Sequence, residues 1–245
     1  MLKRYFIELA YDGTAYCGWQ IQPKVSTVQQ TLEEALGILV PDLKGVMGCG
    51  RTDTGVHASQ YFAHFETAYP LHDNLVYKIN AILPKDIAVY RVFQVESDIH
   101  ARFSAVSRSY HYNIHFGKNP FRNHYSAFHP FKLDVKSMNE AAQYLLGEHD
   151  FSSFAKSQTQ TKTNLCTVKE ARWEEIDGGA RFDITANRFL RNMVRAIVGT
   201  MFLVGEGKLK PSEIANVIEQ QDRSAAGKSA YAHGLFLNKI EYPKI

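Results

Sequence analysis

The order of strand-like and helix-like segments restricts the folds open to this chain more than any other feature of its sequence. A strand pattern over 4–11 precedes a helix pattern that begins at a capping box of Ser26 and Gln29 and stops at Pro41. Two further strand patterns, a second helix pattern and a strand pattern ending at Val95 follow. The first part of the chain therefore has the predicted order βαββαβ.

The same order recurs in the second part of the chain. Predicted strands cover 108–116, 165–176, 180–186 and 235–242; predicted helices begin at a capping box of Ser137 and Glu140 and at Arg188, the latter running to about Val204, and an extra helix follows Pro211. Asp177-Gly178-Gly179 predicts a hairpin, and 152–164, rich in Ser, Thr and Gln, predicts a surface loop.

Two successive βαββαβ units predict an α+β protein made of two ferredoxin-like halves. Residues 1–103 form the predicted N-terminal half and residues 104–245 the C-terminal half. Their strands are expected to join into one continuous, mainly antiparallel sheet. The helices should cover one face of that sheet and leave a cleft between the halves for a ligand.

The composition is that of a folded protein outside the membrane. Apolar residues make up 45% of the chain and charged residues 22%, close to the usual globular balance. No stretch approaches the roughly 20 apolar residues of a membrane span, and no apolar signal core follows Met1, so we expect a cytoplasmic protein. Cys17, Cys49 and Cys166 are widely spaced and form no Cys-x-x-Cys pair, which predicts buried thiols rather than disulfides or a zinc site.

Charge distribution gives a first indication of a partner, although the net charge is only +3. Residues 99–133 contain no Asp or Glu, but five cations and eight aromatic residues. They are Arg102, Arg108, Lys118, Arg122 and Lys132, with Phe103, Tyr110, Tyr112, Phe116, Phe121, Tyr125, Phe128 and Phe131. Cations suit phosphates and aromatic faces suit unstacked bases, which favours RNA. A strand with core aromatics followed by a basic surface loop is the alternative, and both interpretations stay open.

The segment 48–58 concentrates three glycines, Arg51 and Asp53 between two predicted strands. Glycines allow tight turns and close approach of a ligand to the main chain, which predicts a rigid loop presenting Asp53. A surface turn whose Asp and Thr side chains bond the local backbone is the alternative. A Walker phosphate loop would end in Gly-Lys-Ser/Thr, and Asp53 with His57 would give a metal only two ligands, so neither site is predicted.

The run Gly50–Ala58 resembles the catalytic segment of the TruA family of tRNA pseudouridine synthases. Further motifs similar to those of the family follow in order along the whole chain: Ala10–Gly13 with Gly18–Gln20, His100–Ala105 with Ser107–Tyr110, Phe189–Arg195, and Ala226–Lys228 with Gly234–Leu235. Tyr231 stands where a proline is expected and Asn164 where an arginine is usual. We assign no role to either residue.

The resemblance implies isomerisation of uridine to pseudouridine in the anticodon stem-loop of tRNA, at positions 38 to 40, with Asp53 as the catalytic carboxylate. It also implies a homodimer that binds each tRNA across both subunits. The reaction breaks the bond from ribose C1′ to N1, turns the uracil and rejoins it through C5, so no cofactor and no metal is expected. Whether Asp53 acts at uracil C6, at ribose C1′ or as a base at C2′ stays open. Asp12 and Trp19 are expected to shape the cleft rather than to react.

A carboxylate in a closed site keeps its charge only if a cation lies nearby. Arg188, Arg191 and Arg195 would share one face of the predicted helix at i, i+3 and i+7, a stripe that by itself is typical of a solvated surface. The resemblance makes Arg195 the partner of the catalytic aspartate, and we assign Arg188 and Arg191 to tRNA phosphates. It also implies that Tyr110 packs on the target base and that Arg51 helps to hold the target nucleotide out of the stack. Without the resemblance, Tyr110 would be a core residue and Arg51 a surface cation.

Two other classes of function are consistent with the same residues. One is a non-catalytic RNA-binding protein or tRNA chaperone built on the same two halves. The other is a phosphate-binding hydrolase or transferase that uses Asp53 as nucleophile and needs a divalent metal.

Overall fold

The computed structural model describes residues 2–156 and 163–243. The chain divides into two compact units, Met1–Val106 with Leu237–Ile245 and Ser107–Phe236. Each unit combines β-strands with α-helices, which confirms the predicted α+β class. Within the described ranges, no helix has the length and apolar character needed to span a membrane.

The first unit is built around strand β1. Its elements are β1 (Lys3–Tyr11), α1 (Val28–Leu39), β2 (Lys44–Gly48), β3 (His57–Thr67), α2 (Leu75–Ile82) and β4 (Ile87–Val95), in the order βαββαβ. Strand β1 lies between β4 and β3 and pairs antiparallel with both, and β2 also pairs antiparallel with β3. Strand β10 (Leu235–Glu241) is a neighbour of β3, and the Ile240 amide donates to Gln60 Oε1 at 3.0 Å.

Helix α1 buries one apolar face, as its spacing predicts. Val28, Leu32 and Leu36 recur every four residues and are fully buried. The predicted capping box of Ser26 and Gln29 is wrong, because Thr27 is the N-cap and its side chain accepts from the Gln30 amide at 3.4 Å. The Gln29 side chain instead donates to Glu33 and to the Val46 carbonyl.

The second unit has a sheet in the order β5-β9-β8-β7. Its elements are β5 (Ser107–Phe116), β6 (Ala127–His129), α3 (Val135–Ala142), β7 (Gly147–Asp150), β8 (Leu165–Ile176), β9 (Gly179–Ala186), α4 (Met193–Gly205) and α5 (Glu213–Glu219). The predicted hairpin is confirmed, since β8 and β9 pair antiparallel across a turn in which Gly178 has a φ of 62°. Strands β6 and β7 were not predicted, because three or four residues are too few to show a period.

Two of the three predicted helix starts in the second unit are wrong, whereas the helix predicted after Pro211 is confirmed as α5. Asp134 caps α3 by accepting from the Ser137 amide at 3.1 Å, so Ser137 lies inside the helix and forms no capping box with Glu140. Helix α4 begins at Met193 and not at Arg188, because Asn192 before it has a left-handed backbone with a φ of 66°. An arginine stripe along one helix face therefore does not exist.

The cysteines and the predicted surface loop agree only in part with expectation. Cys49 and Cys166 are buried thiols, while Cys17 is half-buried. Burial raises the pKa of the Cys166 thiol to about 11.

Of the predicted loop 152–164, residues 157–162 lie outside the described residues, and Phe154 at its start is fully buried rather than exposed.

His64 on β3 is a buried titratable group of the first unit. Its Nδ1 accepts from the Ala101 amide at 3.2 Å, and its ring lies 4.5 Å from that of His100. Burial, followed by the charges of His100 and Arg4, lowers the pKa of His64 from 6.5 to about 4, and Glu66 opposes this shift. The folded chain therefore holds His64 neutral at pH values where an exposed histidine is protonated.

We expect the free energy of unfolding to fall as the pH is lowered from 6.5 towards 4. Between the unfolded pKa of His64 and its folded pKa, the unfolded chain binds the extra proton and is favoured. His64→Asn keeps an acceptor at the position of Nδ1 for Ala101 but does not titrate, so its loss of stability between pH 7 and pH 5 should be smaller by on the order of 1 kcal/mol. Urea unfolding at the two pH values measures this, and an equal loss in both proteins would contradict it.

Candidate active site

Asp53 lies on the loop between β2 and β3, in the first unit. The Val56 amide donates to the Asp53 carbonyl at 3.1 Å and closes a turn, while the Gly55 amide donates to the Tyr16 carbonyl at 3.3 Å. Gly55 has a φ of 75°, which a residue with a side chain rarely adopts. The Asp53 side chain is half-buried.

Two buried tyrosines hold the loop on the side that precedes Asp53. The Tyr61 hydroxyl donates to the Gly50 carbonyl at 2.5 Å, and the Tyr11 hydroxyl bonds the Thr52 hydroxyl at 2.9 Å. The Trp19 ring stacks on Tyr61 with centroids 4.1 Å apart. The loop is therefore bonded to side chains of the core, as the rigid-loop interpretation requires and as a self-contained surface turn would not be.

Two glycines let the N-terminal motifs pack directly against this loop. Gly18 has a φ of +82°, and a Cβ there would lie 2.3 Å from the Thr52 carbonyl oxygen. A Cβ on Gly13 would lie 2.0 Å from the Val56 carbonyl oxygen, and the Gly13 amide donates to His57 Nδ1 at 3.1 Å. The segments 10–13 and 18–20 thus shape the loop.

Asp12 and Asp86 fix the backbone around Tyr16. Asp12 Oδ1 accepts from the Thr14 amide at 2.9 Å and lies 3.0 Å from His57 Nδ1. The Tyr16 hydroxyl donates to Asp86 Oδ1 at 2.7 Å, and the Asp12 amide donates to the Asp86 carbonyl. Burial, followed by Asp86, raises the pKa of Tyr16 well above its usual range. The role of Asp86 could not be predicted from the sequence, because its partner Tyr16 lies 70 residues earlier in the chain.

Arg195 lies in the first turn of α4, in the second unit, and is half-buried. Its Nε donates to the Ala230 carbonyl at 2.8 Å, and the Ala230 amide donates to the Arg195 carbonyl at 2.9 Å. The first bond ties the guanidinium to the segment 226–230, and the second ties the backbone of Arg195 to it. The sequence motifs around Arg195 and Gly227 are therefore parts of one structure.

The segment 226–230 packs closely on α4. A Cβ on Gly199 would lie 1.7 Å from the Lys228 carbonyl oxygen, so only glycine fits there. The Gly227 amide donates to the Thr200 hydroxyl at 2.9 Å. The Asn192 side chain donates to Ser229 Oγ at 2.7 Å.

The two tyrosines of β5 differ in how deeply they are buried. Tyr112 is fully buried, and its hydroxyl donates to the Tyr231 carbonyl at 2.8 Å, so Tyr112 is a core residue. Burial raises the pKa of Tyr112 well above its usual range, against the effect of Arg195. Tyr110 is only half-buried, and its ring meets the edge of Phe189 with centroids 5.0 Å apart.

The remaining predicted site residues are dispersed. Arg51 is exposed, on the same loop as Asp53. Arg188 is half-buried, and its charge opposes the rise that burial causes in the pKa of the Cys166 thiol. Arg191 is exposed, and its carbonyl accepts from the Lys156 amide at 3.0 Å. Asp53 and Arg195 belong to different units, so their pairing stays a prediction. In the part of the chain that the structure covers, no three His, Cys, Asp or Glu side chains are grouped to hold a metal ion.

Gly18→Ala should destabilise the protein, by about 1 to 3 kcal/mol, because the new Cβ meets the Thr52 carbonyl at a backbone angle that side chains disfavour. Gly37→Ala is a matched control, since Gly37 lies within α1 with open space around it. That change should be neutral or stabilise by up to about 1 kcal/mol. Urea unfolding measures both, and equal effects would show that the contact between Gly18 and the loop is unimportant.

Comparison with known proteins gives matches over nearly the whole chain. A family model described as tRNA pseudouridine synthase matches residues 141–243. The tRNA pseudouridine synthase A of Porphyromonas gingivalis is 49% identical over 99% of this chain and 98% of that protein. That of Bacteroides thetaiotaomicron is 50% identical over 99% and 92%, and that of Bacillus subtilis is 41% identical over 96% and 97%. The similarity extends through both units.

Proposed function

Because the chain belongs to the tRNA pseudouridine synthase A family, we propose that it isomerises uridine to pseudouridine in the anticodon stem-loop of tRNA, at positions 38, 39 and 40. Its catalytic carboxylate in this proposal is Asp53. The observation that carries the assignment is the loop itself. The loop holds one carboxylate, that of Asp53, which is half-buried. Two buried tyrosines bond residues before Asp53: Tyr61 bonds the Gly50 carbonyl, and Tyr11 bonds the Thr52 hydroxyl.

The reaction needs a carboxylate at a fixed position. The bond from C1′ to N1 breaks, a bond from C1′ to C5 forms, C5 loses a proton and N1 gains one, so atoms and electrons balance without a co-reactant. Asp53 would act by attack at uracil C6, by attack at ribose C1′ or as a base at C2′. In each case a loop fixed before the substrate binds lowers the entropic cost of aligning the carboxylate with the reacting atom.

Arg195 is the proposed cation that keeps Asp53 ionised. An arginine carries five N–H donors in a rigid fork, and the bond from Nε to the Ala230 carbonyl uses one of them and sets the direction of the others. The tight packing of the segment 226–230 on α4 supports this role, since it holds the guanidinium in place.

Tyr110 and Arg51 are the proposed contacts to the target nucleotide. Tyr110 would pack on the uracil, and its partial exposure leaves ring surface for a base. Exposed Arg51 would hold the nucleotide out of the stack, since an enzyme cannot reach C1′ and C5 of a stacked base. Arg188 and Arg191 are proposed contacts to tRNA phosphates, which for Arg191 is supported by its exposure.

The finer architecture is likewise a proposal. We propose two ferredoxin-like halves, 1–103 and 104–245, whose strands form one continuous sheet with helices on one face and the tRNA cleft between the halves. The order βαββαβ over residues 3–95 and the antiparallel pairing of its strands support the first half. Residues 237–245 group with the first unit. Since the proposed substrate is tRNA, the proposed site of action is the cytoplasm.

Conversion of a tRNA transcript with uridine at 39 tests the proposal. In the presence of chelator, the unaltered chain should form pseudouridine at 39. Asp53→Asn should lose at least about a thousandfold in rate while still binding tRNA, because the amide neither attacks nor takes up a proton. Asp73→Asn, which neutralises an exposed carboxylate of the same unit, should keep full activity.

The outcomes separate the proposed isomerase from the other two classes. Binding of tRNA without any pseudouridine would favour a non-catalytic RNA-binding protein. Activity that disappears with chelator, together with release or transfer of phosphate, would favour a metal-dependent hydrolase or transferase.

We further propose a homodimer that binds each tRNA across both subunits. Sedimentation equilibrium should give twice the chain mass of 27.8 kDa. A mass equal to one chain, unchanged on addition of tRNA, would contradict the dimer while leaving the assignment of Asp53 intact.

A further inference from the structure

The turn formed by His100–Ser104 lies in the first unit and carries Arg102 and Phe103, two of the cations and aromatic residues that favour RNA, but the proposed function gives neither of them a role. The Ser104 amide donates to the His100 carbonyl at 2.9 Å, and the His100 amide donates to Ser104 Oγ at 2.9 Å. The Arg102 amide donates to His100 Nδ1 at 3.0 Å. The backbone of the turn is therefore bonded to its own first and last residues.

Buried contacts fix this turn to the unit. Ala101 is fully buried, its amide donates to His64 Nδ1, and its carbonyl accepts from the Tyr242 hydroxyl at 2.6 Å. The Arg4 guanidinium donates to the Ile99 carbonyl at 2.9 Å. None of these contacts uses the side chain of Arg102 or of Phe103.

The tip of the turn presents a cation and an aromatic ring to solvent. Phe103 is 75% exposed, and its ring lies 4.5 Å from that of His100. Arg102 is also an exposed residue, and its guanidinium lies 5.5 Å from the centre of the Phe103 ring. A single exposed apolar residue is common on protein surfaces. A ring paired with a cation, on a turn whose backbone is bonded to buried groups, suits an anionic partner with flat groups.

We propose that Arg102 and Phe103 form a second contact with the tRNA substrate, in which a base stacks on the Phe103 ring and a phosphate pairs with Arg102. This inference rests on the proposed function, which supplies the RNA. Stacking on an aromatic ring needs no particular base, and a phosphate contact reads no sequence. The contact therefore adds affinity for tRNA rather than selection of a uridine.

The position of the turn makes this contact remote from the reaction. Strand β3 begins at His57, beside the Asp53 loop, and His64 beneath the turn lies seven residues further along the same strand. Seven residues of an extended strand span about 23 Å. Arg102 and Phe103 thus act on binding of the tRNA body and not on the rate of isomerisation.

Binding of an unmodified tRNA transcript, followed by fluorescence anisotropy at several salt concentrations, tests the contact. Phe103→Ala should raise the Kd on the order of tenfold, and Phe103→Trp should restore binding. Arg102→Gln should reduce the slope of log affinity against log salt by about one. The control Tyr77→Ala removes another exposed ring of the same unit, on α2, and should leave the Kd unchanged. The single-turnover rate at saturating enzyme should be the same in all four variants.

Several results would overturn the contact. A Kd for Phe103→Ala equal to that of the unaltered chain would do so, as would an effect of the same size in Tyr77→Ala. Loss of the dimer mass in Phe103→Ala would assign the ring to a contact between chains instead. If the unaltered chain binds tRNA but forms no pseudouridine, and Phe103→Ala weakens that binding, the proposed function fails and the contact stands. Absence of tRNA binding by the unaltered chain would overturn both.

Discussion

Hydroxyl groups that are buried away from water need hydrogen-bond partners inside the protein, and in the first unit this requirement fixes the candidate site. Tyr11 and Tyr61 lie on adjacent strands with almost no exposed surface, and their hydroxyls find Thr52 and the Gly50 carbonyl in the loop before Asp53. If the loop moved, both bonds would break and the two hydroxyls would lose these partners. The carboxylate is thus positioned by the core of the unit.

The second unit positions its candidate cation through the packing of two backbone segments. Here the determining contact is close approach between backbones, since Gly199 on α4 and Gly227 on the following segment lack the side chains that would keep the two apart. The approach brings the Ala230 carbonyl within reach of Arg195. Close approach at glycines thus supports the candidate residue in both units, and in the first unit buried hydroxyls add direct bonds to the loop.

The sequence allowed the α+β class, most strands and the rigid loop of Asp53 to be predicted, because these depend on periodicity and on local glycine content. The first residues of the helices were harder to predict from the sequence. Ser26 and Thr27 are both good caps, and adjacent residues of that kind cannot be distinguished without knowing which one is buried. The start of α4 depends on a left-handed Asn192, a conformation that asparagine tolerates but that spacing does not reveal. The bonds from Tyr11 and Tyr61 to the loop were also invisible, since they join residues brought together only by strand pairing.

Strand β3 runs from the Asp53 loop to His64, which contacts the turn of His100–Ser104. The length of an extended strand is fixed by its number of residues. Adding one residue to β3 would lengthen it by about 3.3 Å and also turn every later side chain to the opposite face of the sheet. Two added residues would restore the faces but separate the ends by about 7 Å more than before. The distance between the two places can therefore change only in coarse steps. The length of β3 is thus set by both places at once, and a shift at one end cannot be absorbed by stretching the strand.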